Sequence, residues 1–549
     1  PFASGAFGGV AAQGGQLTLG AQLPYPSLQA PRADGPVTAN LHIVSRRLVA
    51  SGRELESADL TATFNGQAAG WIPDLAVTGR ATATLGAGAG RFAGGAARAI
   101  RADLAAPDLR WTRKGGDRIA ATVRLIGGAE TATAGDLRLS ALTLTAAGPM
   151  AADARGVTAD LTASAMGRGG WTGLGAPTAT DTAEVAAVRR AARAFRITAP
   201  AVSVKVSDGV TVGLPQPAVL VPDRGGAVRL SARGTSPVYG AGGGEFRLTA
   251  SGGGLPGLDA DVTRLTLIVG GAEIAGRLRA HASAGLVAGG DVDASGRLRI
   301  ADGGLAFTAD RCVMLKADRL EFGANDIEAL SGRICAAGGP LFTARGANWT
   351  LKGRAEAVTA AAPFAEVQVD GGGVRLEASS RGGQLKARAR VAGARLRDTA
   401  AATRFSPLIL GGDVTFADYL WKADLSARRP GGQVIGRAEL AHDTGLGIGL
   451  VVLDTGVLNL AEGGLQPLDL SPLAAAIGSP AVGSVRFRGR FDWAKQGASS
   501  SGTLSIPGLD FQSAAGPVKG LRGELAFTSL APLVAAPGQE LDIESIAGV

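Results

Sequence analysis

The stretch Val485-Arg486-Phe487-Arg488-Gly489-Arg490-Phe491-Asp492-Trp493 alternates apolar or small residues with charged ones. Period two places Val485, Phe487, Phe491 and Trp493 on one face of a strand and Arg486, Arg488, Arg490 and Asp492 on the other. The pattern recurs from end to end of the chain. Leu385, Ala387, Ala389 and Val391 alternate with Lys386, Arg388 and Arg390. Phe246 and Leu248 alternate with Glu245, Arg247 and Thr249, and Val374 and Leu376 with Arg375 and Glu377. Leu298 and Ile300 alternate with Arg297 and Arg299, and Leu137 and Leu139 with Asp136 and Arg138. Glycine clusters at Gly242-Gly243-Gly244, Gly252-Gly253-Gly254 and Gly371-Gly372-Gly373 mark turns. This spacing predicts an all-β chain of many short antiparallel strands, on the order of 35–45 of them. At about 4.8 Å between neighbours, one sheet of that size would run on the order of 150–200 Å. It must split into sandwiches, close into a barrel, or roll into a long trough.

Helix is scarce. Val185, Val188, Ala192 and Phe195 predict one helix over Thr182 to Arg196, with Thr182 as its cap and Pro200 just past its end. A shorter one is predicted from Ser471, with Pro472 in its first turn, to Gly478. Gly167 to Thr182 is the most loop-like stretch, and no clean linker stands out.

The 549 residues include 84 glycines and 26 prolines, and 46% are hydrophobic. That excludes a disordered chain, a collagen and a coiled coil. The net charge is +8, but the arginines are scattered singly among apolar residues, so they read as a solvated face and no nucleic-acid partner is expected. No run approaches the roughly 18 apolar residues of a membrane helix. The nearest, Leu446 to Leu460, is broken by Gly447, Gly449, Asp454, Gly456 and Asn459. Pro1 opens no signal peptide and the chain stops at Gly548-Val549, so it reads as an internal fragment of a longer protein.

Catalytic chemistry is thin, and no enzyme is expected. His42, His281 and His442 stand far apart, and no nucleophile elbow, phosphate loop or zinc-protease motif occurs. Asp259/Asp261 and Asp291/Asp293 are weak calcium candidates without a loop pattern, and no metal or cofactor site is expected. No convergent arginine pocket can be read from the sequence. Asn348-Trp349-Thr350 matches the glycosylation triplet, which arises readily by chance. Cys312 and Cys335 are the two cysteines. Their interval reads as a hairpin, Val313 to Phe322 and then Ile327 to Ile334. One disulfide in an oxidising compartment fits that distance, and two buried thiols in a reducing compartment are the alternative.

The mean hydropathy of +0.18 is high for a chain with neither a membrane helix nor many aromatics. Alanine accounts for part of it. The sharper reading is a trough whose apolar face stays open, larger than the few hundred Å² that monomers expose, and so meets a hydrophobic ligand or a membrane. The candidate lining is Val485, Phe487, Phe491, Trp493, Leu504, Ile506, Leu385, Val391, Phe246, Leu248, Leu265 and Leu267. Ordinary sandwich core is the alternative for each.

The C-terminal stretch runs Leu465-Gln466-Pro467-Leu468-Asp469-Leu470-Ser471-Pro472-Leu473, then Gly483 to Trp493, Gly508-Leu509-Asp510-Phe511, Val518-Lys519-Gly520-Leu521-Arg522-Gly523 and Phe527 to Leu533. It closes with Pro537-Gly538-Gln539-Glu540-Leu541 and Ile543 to Gly548. This order resembles the C-terminal region of the YdbH proteins, members of the AsmA-like superfamily that includes TamB. Cys312 and Cys335 resemble a cysteine pair in the middle of that family. The resemblance covers about residues 300–549, and before that it is compositional. It divides the chain into a groove segment over 1–300 and a second one, like the YdbH C-terminal region, over 301–549.

The resemblance implies a long rolled antiparallel β-sheet with an open apolar groove. It implies a periplasmic protein anchored in the inner membrane by a helix outside this chain. It implies phospholipids as cargo, carried between inner and outer membrane, and a small YnbE-like outer-membrane lipoprotein as a partner that extends the sheet by strand addition. Three rivals share parts of the pattern. A structural or adhesive β-protein would have a closed, dry core. An outer-membrane barrel needs aromatic girdles that three tyrosines and six tryptophans do not supply. A β-helical enzyme needs a cluster of carboxylates on one sheet face.

Overall fold

The computed structural model describes residues 2–547 apart from 8, 9, 26–28, 30, 31, 51, 93, 180, 182, 285, 286, 322–325, 347, 383 and 495. Among these there are 36 strands in antiparallel pairing, two α-helices and three short 3-10 turns. The chain is all-β, as the alternation predicts. Many strands are longer than the glycine spacing predicts. Gly95–Thr112 has 18 residues, and Arg53–Ala69, Ala76–Phe92 and Gly478–Ala494 have 17 each. Glycines inside a run did not end it. Gly127 and Gly128 stay paired with Ala102 and Arg101 in the middle of Arg118–Ala134. The chain divides into two compact units, residues 1–267 and 268–549.

In the first unit the strands from Val10–Gln22 to Gly156–Trp171 form a meander, each paired with the next. The register lines Leu19, Leu41, Ala62, Ala83, Leu104, Leu125, Ala146 and Ala163 into one row. The adjacent row, Thr18, His42, Thr61, Thr84 and Asp103, faces the other way. On seven successive strands the ladder skips a residue at one level: Gly14, Arg46, Ser57, Gly88, Ala99, Glu130 and Ala141. Gly14, Ser57, Ala99 and Ala141 hold positive φ there, between 50° and 57°. The skipped residue reverses the phase of the alternation, so Leu137 and Leu139 share a face with Leu142 and Leu144. One residue is skipped on each strand, so the register does not shift, and the left-handed residues on every second strand crease the sheet along a line. Ser45 is buried beside the crease, and its hydroxyl donates to the Gln13 carbonyl at 3.1 Å.

The second unit repeats the two-faced pattern. One row across ten strands reads Ala355, Val374, Val391, Gly412, Leu425, Ala438, Leu453, Gly489, Gly502 and Phe527. Its neighbour on the opposite face begins Arg354, Arg375, Arg390, Asp413, Asp424 and Glu439. The sheet of this unit curls. Seven ladder steps separate Gln384–Asp398 from Gly516–Leu530, about 34 Å of sheet at 4.8 Å per step. Yet the Arg404 guanidinium, just past the first strand, donates to the Leu530 carbonyl at the end of the last. The Phe364 ring likewise lies 6.0 Å from that of Trp493. One part of the curl is closed by a core of Ile435, Leu458, Leu460, Leu465, Ala481, Ile506, Leu509, Val518 and Leu521.

The first helix, α1, spans Ala183–Arg193, and Thr182 lies outside the described residues. It stops short of Arg196 because Phe195 opens the strand Phe195–Val206, where it pairs with Gly169 and is buried. Pro200, expected beyond a helix end, sits in that strand where the register shifts between Ala199 and Val202, a place that needs no donor. Gly167–Thr182, expected as loop, belongs to a strand as far as Trp171. The second expected helix is a 3-10 turn, Pro472–Ala476, capped by the Ser471 hydroxyl, which accepts from the Leu473 amide at 3.1 Å. It follows a four-residue helix, α2, Pro467–Leu470. Leu446 to Leu460 is two strands, Ile448–Asp454 and Leu458–Leu460. No helix among the described residues is long and apolar enough to cross a membrane.

Candidate functional site

The candidate lining residues share the apolar face of their unit. Phe491 lies in a row with Val451, Leu440, Ala423, Val414, Ala389 and Leu376. Phe487 is half-buried, faces Leu504, and lies 6.4 Å from Phe527. Its ring covers the Gly489–Gly502 pair, where an added Cβ would meet it at 2.9 and 3.1 Å. Val485 and Leu504 pack against the closed core, and Ile506 belongs to it, so these three mark where the face turns into a dry interior. Trp493 donates from its indole nitrogen to His442 Nδ1 at 3.1 Å. Burial lowers the His442 pKa below its ordinary value, more than nearby groups raise it. Neutral His442 therefore serves as an acceptor for Trp493 on this face. Val391 faces Val374, and Leu385 is exposed at the strand end opposite Ser380.

In the first unit Phe246 faces Val262 and Leu248 faces Ala260. An irregularity after Val262 then places Leu265 opposite Gly244, keeping it on their face, and Leu267 beyond it is exposed. The larger part of this face was missed by sequence reasoning. Leu17, Leu19, Leu104 and Leu144 stand on it with 52%, 62%, 39% and 40% of their surface exposed. Their signal was present as Leu17-Thr18-Leu19 and Leu142-Thr143-Leu144, hidden by the phase reversal at the crease. The opposite face is polar with exceptions, since Val44, Ile126 and Met166 are exposed there.

The charged face is knitted by ion pairs. Asp454 takes Arg486 and Arg488 at 2.5 and 3.1 Å, and the hydrogen bonds from Arg486 hold its carboxyl far below the usual range. Asp293 faces Arg277, Arg279 and Arg311 and is lowered chiefly by the Arg277 hydrogen bonds. Such exposed pairs each contribute little to stability. They do account for the carboxylates considered for calcium: Asp259 binds Arg247, Asp261 binds Arg233, and Asp291 binds His281. Asn348 of the glycosylation triplet accepts from the Gly382 amide at 2.9 Å.

Cys312 and Cys335 are joined in a disulfide. The strand Val313–Leu320, which follows Cys312, and the strand Ile327–Ala336, which contains Cys335, form the hairpin expected from their spacing, with Val313 opposite Ile334; Phe322 lies outside the described residues. Val313 belongs to a second buried cluster with Ala294 and Leu341. What the arrangement offers chemically is a surface. In each unit an apolar face with exposed leucines backs onto a charged one.

A family model described as YdbH-like, Intermembrane phospholipid transport protein YdbH, matches residues 9–548. The match takes in the stretch before residue 300, where the resemblance rested on composition. No curated protein matches the chain, and no solved structure matches it.

Proposed function

The chain belongs to the YdbH-like family of intermembrane phospholipid transport proteins, and from that premise we propose that the apolar face of each unit is the surface along which acyl chains travel. The observation that carries this reading is the unbroken apolar register, from Leu19 to Ala163 in one unit and from Ala355 to Phe527 in the other. Burying acyl groups on it stabilises by about 0.8 kcal/mol per CH₂. The contact is non-directional, so a chain can slide without anchor residues, while head groups stay in water. No catalytic step is required.

Intermembrane transport places the protein in the cell envelope, and the Cys312–Cys335 disulfide suits an oxidising compartment such as the periplasm. Attachment to the inner membrane by a helix outside this chain, and extension of the sheet by a YnbE-like lipoprotein, are part of the same proposal and rest on the family's role. The closed core around Leu509 and the smaller cluster around Leu341 support a dry interior at two places among the described residues. Native extraction of the protein followed by lipid mass spectrometry tests the reading. Several phospholipids per chain are expected, and a folded, intact chain without lipid would replace the groove with a closed structural β-protein.

A further inference from the structure

The charged face of the second unit carries a shallow dish at one rim. Five neighbouring strands build it: Val287–Ala301, Gly304–Ala309, Phe342–Arg345, Asn348–Ala362 and Gly373–Arg381. Two rows cross them on this face. The inner row is Arg299, Ala306, Thr343, Thr350 and Ser379, and the outer row runs Ala301, Gly304, Arg345 and Asn348, with Arg381 on the last strand. Ala301, Gly304 and Ala306 put little bulk above the sheet. Thr343 and Thr350 bond each other at 2.6 Å instead of reaching outward. The result is a concavity of about 510 Å³ that Arg299, Arg345 and Arg381 line.

The arginines are held over this floor. A Cβ added at Gly304 would sit 3.7 Å from Arg345 Nη2, so that guanidinium reaches over the glycine. The Asn348–Gly382 hydrogen bond ties the turn that carries Arg345 to the one that carries Arg381. Some arginines elsewhere on the face, such as Arg277, Arg333 and Arg486, are paired with carboxylates, while Arg375, Arg388 and Arg437 form no ion pair among the described residues; what sets the dish apart is that three guanidiniums surround one concavity. Among the described residues no ion pair is recorded for Arg299, Arg345 or Arg381. Asp302 is the one acid in the lining, and Glu273 stands opposite Arg299 in the register. Three guanidiniums against one lining carboxylate leave excess positive charge in a recess with hydroxyl and amide groups on its floor.

We propose that this dish binds a phosphate group, as the ester of a lipid headgroup or as free phosphate. Planar guanidinium forks match phosphate oxygens with paired hydrogen bonds, and the small floor leaves room for the group between them. The site lies on the face opposite the acyl surface, so it is read separately from lipid carried there.

The test uses the full 549-residue chain. Glycerol 3-phosphate and inorganic phosphate are titrated calorimetrically, and flotation with phosphatidylglycerol or phosphatidylcholine vesicles is run beside them. The double variant R345Q/R381Q, the single variant R299Q and the remote control R168Q are compared with the unaltered chain. The expected result is binding of at least one probe that weakens about tenfold or more in the dish variants and not in R168Q, at unchanged melting temperature. Glycerol 3-phosphate or vesicle binding points to a headgroup, and binding of inorganic phosphate alone points to the free ion. If R345Q/R381Q does not fold, R299Q gives the answer. No probe binding, or equal losses in R168Q, overturns the site. Lipid mass spectrometry on the same preparations reports the acyl surface independently.

Discussion

Ser57 and Ala99 lie two strands apart at one level of the sheet, and both hold a left-handed backbone, with φ of 52° and 50°. Ala141 repeats this two strands further on, also at 50°. Gly14, two strands before Ser57, holds the same conformation with the residue that suits it. Isolated left-handed residues with a Cβ are costly. Their alignment on every second strand, with Arg46, Gly88 and Glu130 between them outside the left-handed region, shows that the crease is a feature of the seven strands together and not of any one strand.

Glycine at the aligned positions should therefore stabilise. A99G and A141G are each expected to raise unfolding stability by up to about 1 kcal/mol, since relief of the left-handed strain outweighs the entropy glycine adds to the unfolded chain. Urea midpoints of the two variants check this. Glycine in a regular strand would instead destabilise by roughly 0.5–1 kcal/mol, so lowered midpoints would mean that the strands run straight.

Arg404 and Asp398 should hold the curl of the second unit. The Asp398 side chain has no exposed surface and that of Arg404 is 9% exposed. Burial pushes the Asp398 carboxyl up, but the donors of Arg404 and the Ala400 amide together outweigh it and hold the pKa below its ordinary value. R404M strands a buried carboxylate and should cost about 3–5 kcal/mol. The pH dependence should change sign. In the unaltered chain the stability from Asp398 is present above its unfolded pKa, near 3.9, and is lost as pH falls through the lower folded value. In R404M the unpaired carboxyl titrates above its unfolded value, so acidification relieves its cost. Urea midpoints between pH 3 and 7 separate the two profiles, and parallel profiles would remove Arg404 as the partner.

The two-faced sheet was legible because side-chain period and polarity are local. Val374, Leu376 and Val391 announce their face without any partner strand. Strand length was not legible, because glycine marks a turn only where neighbours do not pair with it, and Gly127 and Gly128 are paired. The crease was partly written in the Leu137, Leu139, Leu142, Leu144 spacing, but a phase reversal in one strand looks like noise until six others repeat it. Ile506 could not be told from Phe487 by alternation. What separates them is the cover supplied by Leu465 and Leu470, which arrive from a segment some 40 residues upstream. The arginine dish was invisible for the same reason, since Arg299, Arg345 and Arg381 meet only through the register.

The Cys312–Cys335 bridge should contribute about 3 kcal/mol in the chain-entropy account of a loop this size. Unfolding free energies from denaturant titrations with reductant and for C312S/C335S are expected to fall together by about that amount below the oxidised chain. Intact mass of unreduced and alkylated protein should show no free thiol. Two alkylated cysteines in oxidised material would place the pair in the thiol state and remove the argument for an oxidising compartment.

Charge placed on the apolar face should separate open groove from dry core. Leu104 and Leu144 are exposed at 39% and 40%, so L104D and L144D lose little packing on replacement, and an aspartate there remains in water. Their melting temperatures should stay near that of the unaltered chain while co-purifying phospholipid falls, because a charge on the path must be desolvated by each passing acyl chain. Ile506 is 4% exposed within the closed core, and I506D should cost about 4 kcal/mol or more or prevent folding. Phe487 is the discriminating case. Half-buried over Gly489 and Gly502, it should lose stability and lipid together in F487D, whereas F487L should keep the fold and much of the lipid. Lipid mass spectrometry beside thermal melts reads all five variants. Unchanged lipid in L104D and L144D would take the first unit off the acyl path, whatever the second unit carries.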